Sequence, residues 1–382
     1  MTMTRRERLR RCYFNQEVDR PAVYTRTGFP PGDETYDRLK AYLQAHTELK
    51  GNWNGISLGE TPWIYRFASP AGLNQKDLET DYRIAFWRTP YSEDFERQII
   101  VLHTPKGDLQ FSNLASLKGQ PGIEETFLLK NREDAEKYLS LPPSAFSPDI
   151  SSFFAADAKI GDAGIVHVNL GVNPGGFVAR LFGSETFAWM SVTDRDLLHA
   201  LCERQMNMML QRLKFLIGKQ VGPFFCMEGQ EFITPPLHGP ADFYDFNVRY
   251  DKPLIDLIHD AGGRMHVHCH GAIKQVFGGI IDMGVDVLHP FEPPPMGDIT
   301  AVEAKTQARD RMCLEGNIQI HRMYEACPEE IRQETEELIR VAFDDKKGLI
   351  VSPSASPYIR GQGEACFPQY QTMIDTVRQW NG

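Results

Sequence analysis

The chain alternates short β-branched apolar runs with longer stretches of helical period. Eight runs read as strands: Ala22 to Thr25, Gly55 to Leu58, Ile165 to Leu170, Pro223 to Met227, Arg264 to His268, Val285 to His289, Met312 to Glu315 and Leu349 to Ser352. The last five recur at intervals that leave room for a strand, a loop, a helix and a return. Between the strands, Thr193 to Ile217 carries Leu197, Leu198, Leu201, Met208, Met209, Leu213 and Leu216 on a helical period. Pro240 to Ala261 predicts a second helix, ended by Gly262-Gly263. Cys327-Pro328-Glu329-Glu330 opens a third, with proline and acidic residues in its first turn. Eight strands alternating with helices predict an α/β fold, a (β/α)8 TIM barrel around a parallel sheet.

Two segments depart from that rhythm. Asp81 to Leu141 alternates apolar and polar residues, as in Arg97 to His103, and turns at Pro105-Lys106-Gly107-Asp108. It predicts a β-hairpin excursion covering one rim of the barrel. The opening MTMTRRERLRRCYF predicts an N-terminal amphipathic helix with a solvated arginine face. No apolar stretch follows it, so it does not read as a secretory signal. The proline-rich run from Leu141 to Pro148 reads as a connector. Residues 1–382 are thus expected to form one elaborated barrel, with 81–141 inserted in it.

Composition narrows the function classes. The formal charge is −10, from 41 basic and 51 acidic residues. A sequence-independent nucleic-acid binder needs a basic face to displace counterions, so that class is disfavoured. No run approaches the roughly 20 uncharged apolar residues of a membrane span. The seven cysteines are odd in number and lack any Cys-x-x-Cys, which predicts reduced thiols and a cytoplasmic setting.

The densest chemistry is Met265-His266-Val267-His268-Cys269-His270-Gly271, where an apolar strand ends. In a parallel barrel that end is the mouth, where active sites lie. Imidazoles two residues apart can bind one divalent ion, most simply zinc, or can line a polar pocket as hydrogen-bonded groups. Glu292 follows one βα unit later, in a loop stiffened by Pro290, Pro293, Pro294 and Pro295. Glu228 and Glu231 end the strand Pro223 to Met227 and are candidate catalytic carboxylates. Asn317 after Leu314-Glu315-Gly316, and Ser354 after the last strand, can read a polar ligand or simply make turns. Cys269 is expected to point away from the histidine face.

These residues resemble the uroporphyrinogen decarboxylase superfamily over most of the chain. The likeness begins at Met3-Thr4-Arg5-Arg6-Glu7-Arg8 and Asp19-Arg20-Pro21. It continues through Phe232 to Gly271, Met283 to Leu288, Leu314 to Ile318 and Ile350 to Ser354. The resemblance implies a (β/α)8 barrel and one of two chemistries. One is cofactor-free decarboxylation of uroporphyrinogen. The other is zinc-dependent methyl transfer between a corrinoid protein and a thiol such as coenzyme M.

The methyltransferase branch carries His-x-Cys-Gly, which His268-Cys269-His270-Gly271 matches with His270 in the cysteine position. Its acidic residue falls near Glu292, and its distal cysteine falls near Ser354-Ala355, where no thiol stands. The decarboxylase branch has Arg-Gln-Ala-Gly-Arg-Tyr after the first strand. Here Tyr24-Thr25-Arg26-Thr27-Gly28-Phe29 keeps only Arg26. The resemblance implies His268, His270 and Glu292 as metal ligands; the residues themselves add His266, which could complete the sphere, and Glu231 and Glu228 as catalytic groups that could also do so. Arg26, Asn317, Ser354 and His289 are the expected substrate contacts. Expected partners are a small-molecule substrate, a corrinoid protein and a second copy of the chain. A carboxy-lyase and a non-catalytic corrinoid or tetrapyrrole binding module are the competing readings.

Overall fold

A computed structural model describes residues 3–54, 84–117, 122–142 and 149–380. Its main sheet has eight parallel strands: β1 (Ala22–Val23), β2 (Leu49–Trp53), β7 (Gly164–Val172), β8 (Phe224–Glu228), β9 (Arg264–His268), β10 (Val287–His289), β11 (Cys313–Ile318) and β12 (Leu349–Pro353). The strand order is β1-β12-β11-β10-β9-β8-β7-β2. The sheet curls until its two edges meet. There the Glu48 N–H donates to the Val23 carbonyl, and the Val23 N–H donates to the Glu48 carboxylate. This is the expected barrel with one shift. The strand expected at Gly55 to Leu58 lies outside the described residues, and the second barrel strand is Leu49–Trp53. Its Lys50, Gly51 and Asn52 lack the apolar signature that marks the other strands.

Alternation along each strand divides the barrel into two environments. Val267, Leu288, Leu314 and Val351 are buried with helix residues such as Leu254, Ile258 and Leu338. Each such side chain contributes ~1.5–3 kcal/mol through removal from water. The other face of every strand looks into the barrel, and it is unusually polar.

A second sheet is antiparallel: β3 (Ile84–Pro90), β4 (Phe95–Thr104), β5 (Gly107–Ser116) and β6 (Ile123–Thr126). The predicted turn joins β4 to β5, with Thr104 opposite Gly107 across Pro105-Lys106. Ile100, Leu102 and Leu109 from this sheet are buried with Phe177, Leu181 and Leu201 of two helices that follow β7.

The N-terminal helix Arg5–Tyr13 departs from expectation. Three of its five arginines are tied down rather than solvated, while Arg10 and Arg11 face solvent beside Glu7. Arg5 donates to the carbonyls of Gln44 and Thr47, and Arg6 to those of Gly161 and Gly164 and to Asp157. Arg8 is buried between Asp19 and Glu48. All these partners precede or open barrel strands, so the guanidinium forks gather the carbonyls at the bottom of the barrel. Tyr13, on the same helix, reaches the interior and packs against Phe224 and His167.

Candidate active site

Strand register places the polar interior in rows. Glu228, His268 and His289 stand level on β8, β9 and β10, near the mouth. Cys226, His266 and Val287 stand one step below. Parallel neighbours in register share a face, so each row projects inward together.

Four imidazoles stack through the interior. His167 and His266 have ring centroids 5.2 Å apart, His266 and His289 6.3 Å, and His268 and His289 5.0 Å. Burial, neighbouring imidazoles and the cations Arg26 and Lys50 hold all four below the usual histidine range. They are therefore neutral near pH 7, and their hydrogen bonds set the tautomers. His289 Nε2 lies 3.2 Å from the Pro353 carbonyl, which only accepts, so Nε2 carries the hydrogen. Its Nδ1 must then accept from the His268 Nδ1–H, 2.8 Å away. That leaves a lone pair on His268 Nε2; Arg26 Nη1 stands against the same ring, 2.7 Å from Nε2 and 2.8 Å from Nδ1, and donates to the Nε2 lone pair.

Below this chain lies a buried ion pair. The Lys50 ammonium meets the Glu315 carboxylate, with side chains 2% and 1% exposed. His266 Nε2 stands 3.3 Å from the same carboxylate. Lys50 also sits over the rings of Tyr24 and Tyr13. Lys50 and the His266 contact hold the Glu315 carboxyl well below the ordinary carboxylate range, against its burial.

At the rim, His270 Nδ1 is 3.0 Å from Glu292 Oε2. The carboxylate is buried and the imidazole is 39% exposed. Glu292 accepts the Nδ1 hydrogen and so turns Nε2, with its lone pair, away from itself. Glu231 accepts the Gly229 N–H at 3.1 Å, and burial raises its pKa. Cys269, between the two histidines, is buried on the opposite face, and its thiol is pushed up by burial.

The strand end and turn bearing Glu228 and Glu231 are braced from behind. Asp251 is fully buried, and its carboxylate accepts from Asn173 Nδ2 at 3.0 Å and Gln230 Nε2 at 2.9 Å. Asn247, in a five-residue π-helical stretch, donates to the Gln230 carbonyl. Burial without a cation pushes Asp251 up to about 7. A folded-state pKa above the unfolded one favours folding most at low pH. This contribution is lost as pH rises from about 4 through about 7. Thermal melts of wild type and Asp251→Asn across pH 4 to 8 are expected to diverge, Asn gaining relative stability as pH rises. A constant difference across that range would refute this.

The predicted residues fall into groups. Arg26, His268, His289 and His266 are joined in the interior, and His270 pairs with Glu292 at the rim. Ser354 is buried, and its hydroxyl accepts the Ile320 N–H. Asn317 lines a separate groove of about 510 Å³ beside Pro293, Pro294 and Pro295. Sequence reasoning missed Lys50, His167 and Tyr13, and passed over Glu315 for its neighbour Asn317. The one available signal was polar residues at inward positions of apolar strands.

For a divalent metal the donor chemistry suits, but the arrangement does not. Neutral imidazoles and a carboxylate are proper ligands. Yet the His268 lone pair is taken by a guanidinium, and positive charge stands where an ion would bind. Among the described residues, His266 leaves one buried nitrogen without a partner, Nδ1, deeper in the barrel. Among the described residues, no three His, Cys, Asp or Glu side chains converge to hold a metal ion. As arranged, His268, His270, Glu292 and His266 do not fit the expected metal centre.

A parallel αβ barrel with a histidine-rich mouth is the class that fold and site define. The uroporphyrinogen decarboxylase (URO-D) family profile matches residues 178–378, more than half of the chain, and the chain belongs to that family. No curated protein matches its sequence significantly. Among solved structures, a methyltransferase from Methanosarcina mazei is similar with a TM-score of 0.59 and 12% identity, over 98% of this chain and 99% of that one. A B12-independent methionine synthase from Shewanella sp. W3-18-1 has a TM-score of 0.45 and 11% identity, over 63% of this chain and 70% of that one. At such identity the first likeness shows the fold. No described helix is long and apolar enough to cross a membrane.

Proposed function

We propose that this URO-D family enzyme transfers a methyl group between a corrinoid, carried by a partner protein, and a thiol or other small acceptor. The observation that carries the reading is the His270–Glu292 pair at the barrel mouth. His270 stands in the His-x-His-Gly sequence that resembles the methyltransferase motif. Glu292 holds Nδ1–H, so His270 Nε2 is available as a base. A thiol S–H bond breaks as its proton moves to Nε2. The sulfur pair forms the new S–CH3 bond, and the electrons of the broken methyl bond stay with the donor. Arg26 supplies a fixed positive charge for an anionic group on the acceptor.

The test incubates purified protein with methylcobalamin and 2-mercaptoethanesulfonate and follows methyl thioether by mass spectrometry. Catalysed thioether formation is expected. No turnover across a thiol panel, with zinc supplied and elemental analysis done alongside, would sink the reading.

Arg26 in the mouth favours a second reading, a carboxy-lyase acting on a carboxylate-rich substrate. Uroporphyrinogen turnover that survives both chelation and His268→Ala would support it.

A further inference from the structure

The barrel wall has a seam. Beyond the Glu48–Val23 contact, β1 and β2 share no ladder pairing among the described residues. A cavity of about 540 Å³ lies along this seam, between the helices Asp37–His46 and Ser151–Ile160. Its volume is that of a pocket for a small organic molecule.

The lining has a definite chemical character. Phe29, Leu43, Ile160 and Val166 supply apolar walls. Lys40, Lys50 and Lys159 line it, and among the described residues no acidic side chain does. In a chain of net charge −10 that bias is notable. Lys50 turns its ammonium inward to Glu315, and Lys40 is held by Asp37 and the Asp33 carbonyl. Lys159 is exposed at the opening and has no partner among the described residues.

A separate observation points to a ligand. Thr25 lines the cavity and is 2% exposed, and its hydroxyl has no hydrogen-bond partner among the described residues. A buried polar group left unpaired costs roughly 1–3 kcal/mol, which a turn of the Thr25 side chain toward an acceptor bound in the cavity would relieve. A cation, an orphan donor and apolar walls together call for an acceptor-rich anionic head on an apolar body.

We propose that this seam cavity binds a small organic anion, a carboxylate or phosphate monoester with an apolar ring or chain. The site is separate from His270 and Glu292 at the mouth and does not depend on the methyl-transfer reading.

Ligand-observed NMR and calorimetry with benzoate and with phenyl phosphate test it, with benzyl alcohol as the uncharged control. Saturable binding of at least one anion is expected, and weaker binding of the alcohol. The preferred anion separates the carboxylate from the phosphate source. Lys159→Met, at an exposed position, should weaken that binding by about tenfold. Ala156→Trp, which fills the cavity, should abolish it, with circular dichroism confirming the fold. Binding should persist in His270→Ala, which alters only the mouth. The proposal is overturned if neither anion binds. It is equally overturned if binding is unchanged in both Lys159→Met and Ala156→Trp, or is lost in His270→Ala.

Discussion

Replacing Glu315 by Gln is expected to destabilise the protein by ~3–5 kcal/mol, the cost of leaving a buried charge unpaired. The Lys50 ammonium would remain inside the barrel without its carboxylate. Tyr13 and Tyr24 offer it ring faces, but cation–π contacts contribute only about 0.5–2 kcal/mol. Lys50→Met should cost a similar amount, by stranding the carboxylate. The double variant Lys50→Met/Glu315→Leu should recover most of the loss, because neither charge then needs compensation. Urea midpoints at pH 7 check all three, and single variants within 1 kcal/mol of wild type would contradict the assignment. The pH dependence has a definite sign. The folded-state pKa of Glu315 is lowered, so its contribution is complete above the unfolded carboxylate range and is lost as pH falls below it. Glu315→Gln should lack that acid-side loss.

His270→Ala should lower kcat for thiol methylation by about 10²–10⁴, the range for removing a general base. KM for the acceptor should change little, because Arg26 rather than His270 is assigned to hold its anionic group. Glu292→Gln should cost less, since the amide oxygen can still accept the Nδ1 hydrogen while losing its charge. Added imidazole should restore part of the His270→Ala rate. Steady-state kinetics with methylcobalamin decide the matter, and a variant retaining more than half the rate would exclude His270 as the base.

The barrel and the position of its mouth were legible in the sequence because both follow from local periodicity. Seven of the eight predicted strands coincide with observed ones, within a few residues at their ends. Only β2 escaped, since Lys50 and Asn52 break its apolar pattern. Glu292 was legible because it stands one βα unit after His270, and neighbouring strand ends meet at the mouth. The arginine face of the first helix was misread at Arg5, Arg6 and Arg8. Its partners are carbonyls and carboxylates brought from up to 158 residues away, and no local pattern announces them.

The sequence alone determined the α/β barrel class, the antiparallel hairpin and the histidine cluster at a strand end. Each depends on residues that are neighbours along the chain. Tertiary structure decided which groups those histidines meet. His268 hydrogen-bonds Arg26 and His289, while His270, two residues on, turns to Glu292. It also decided that Lys50 finds Glu315, 265 residues later, inside the barrel. Closing a parallel sheet fixes the register of distant strands, and register alone sets which inward side chains share a row.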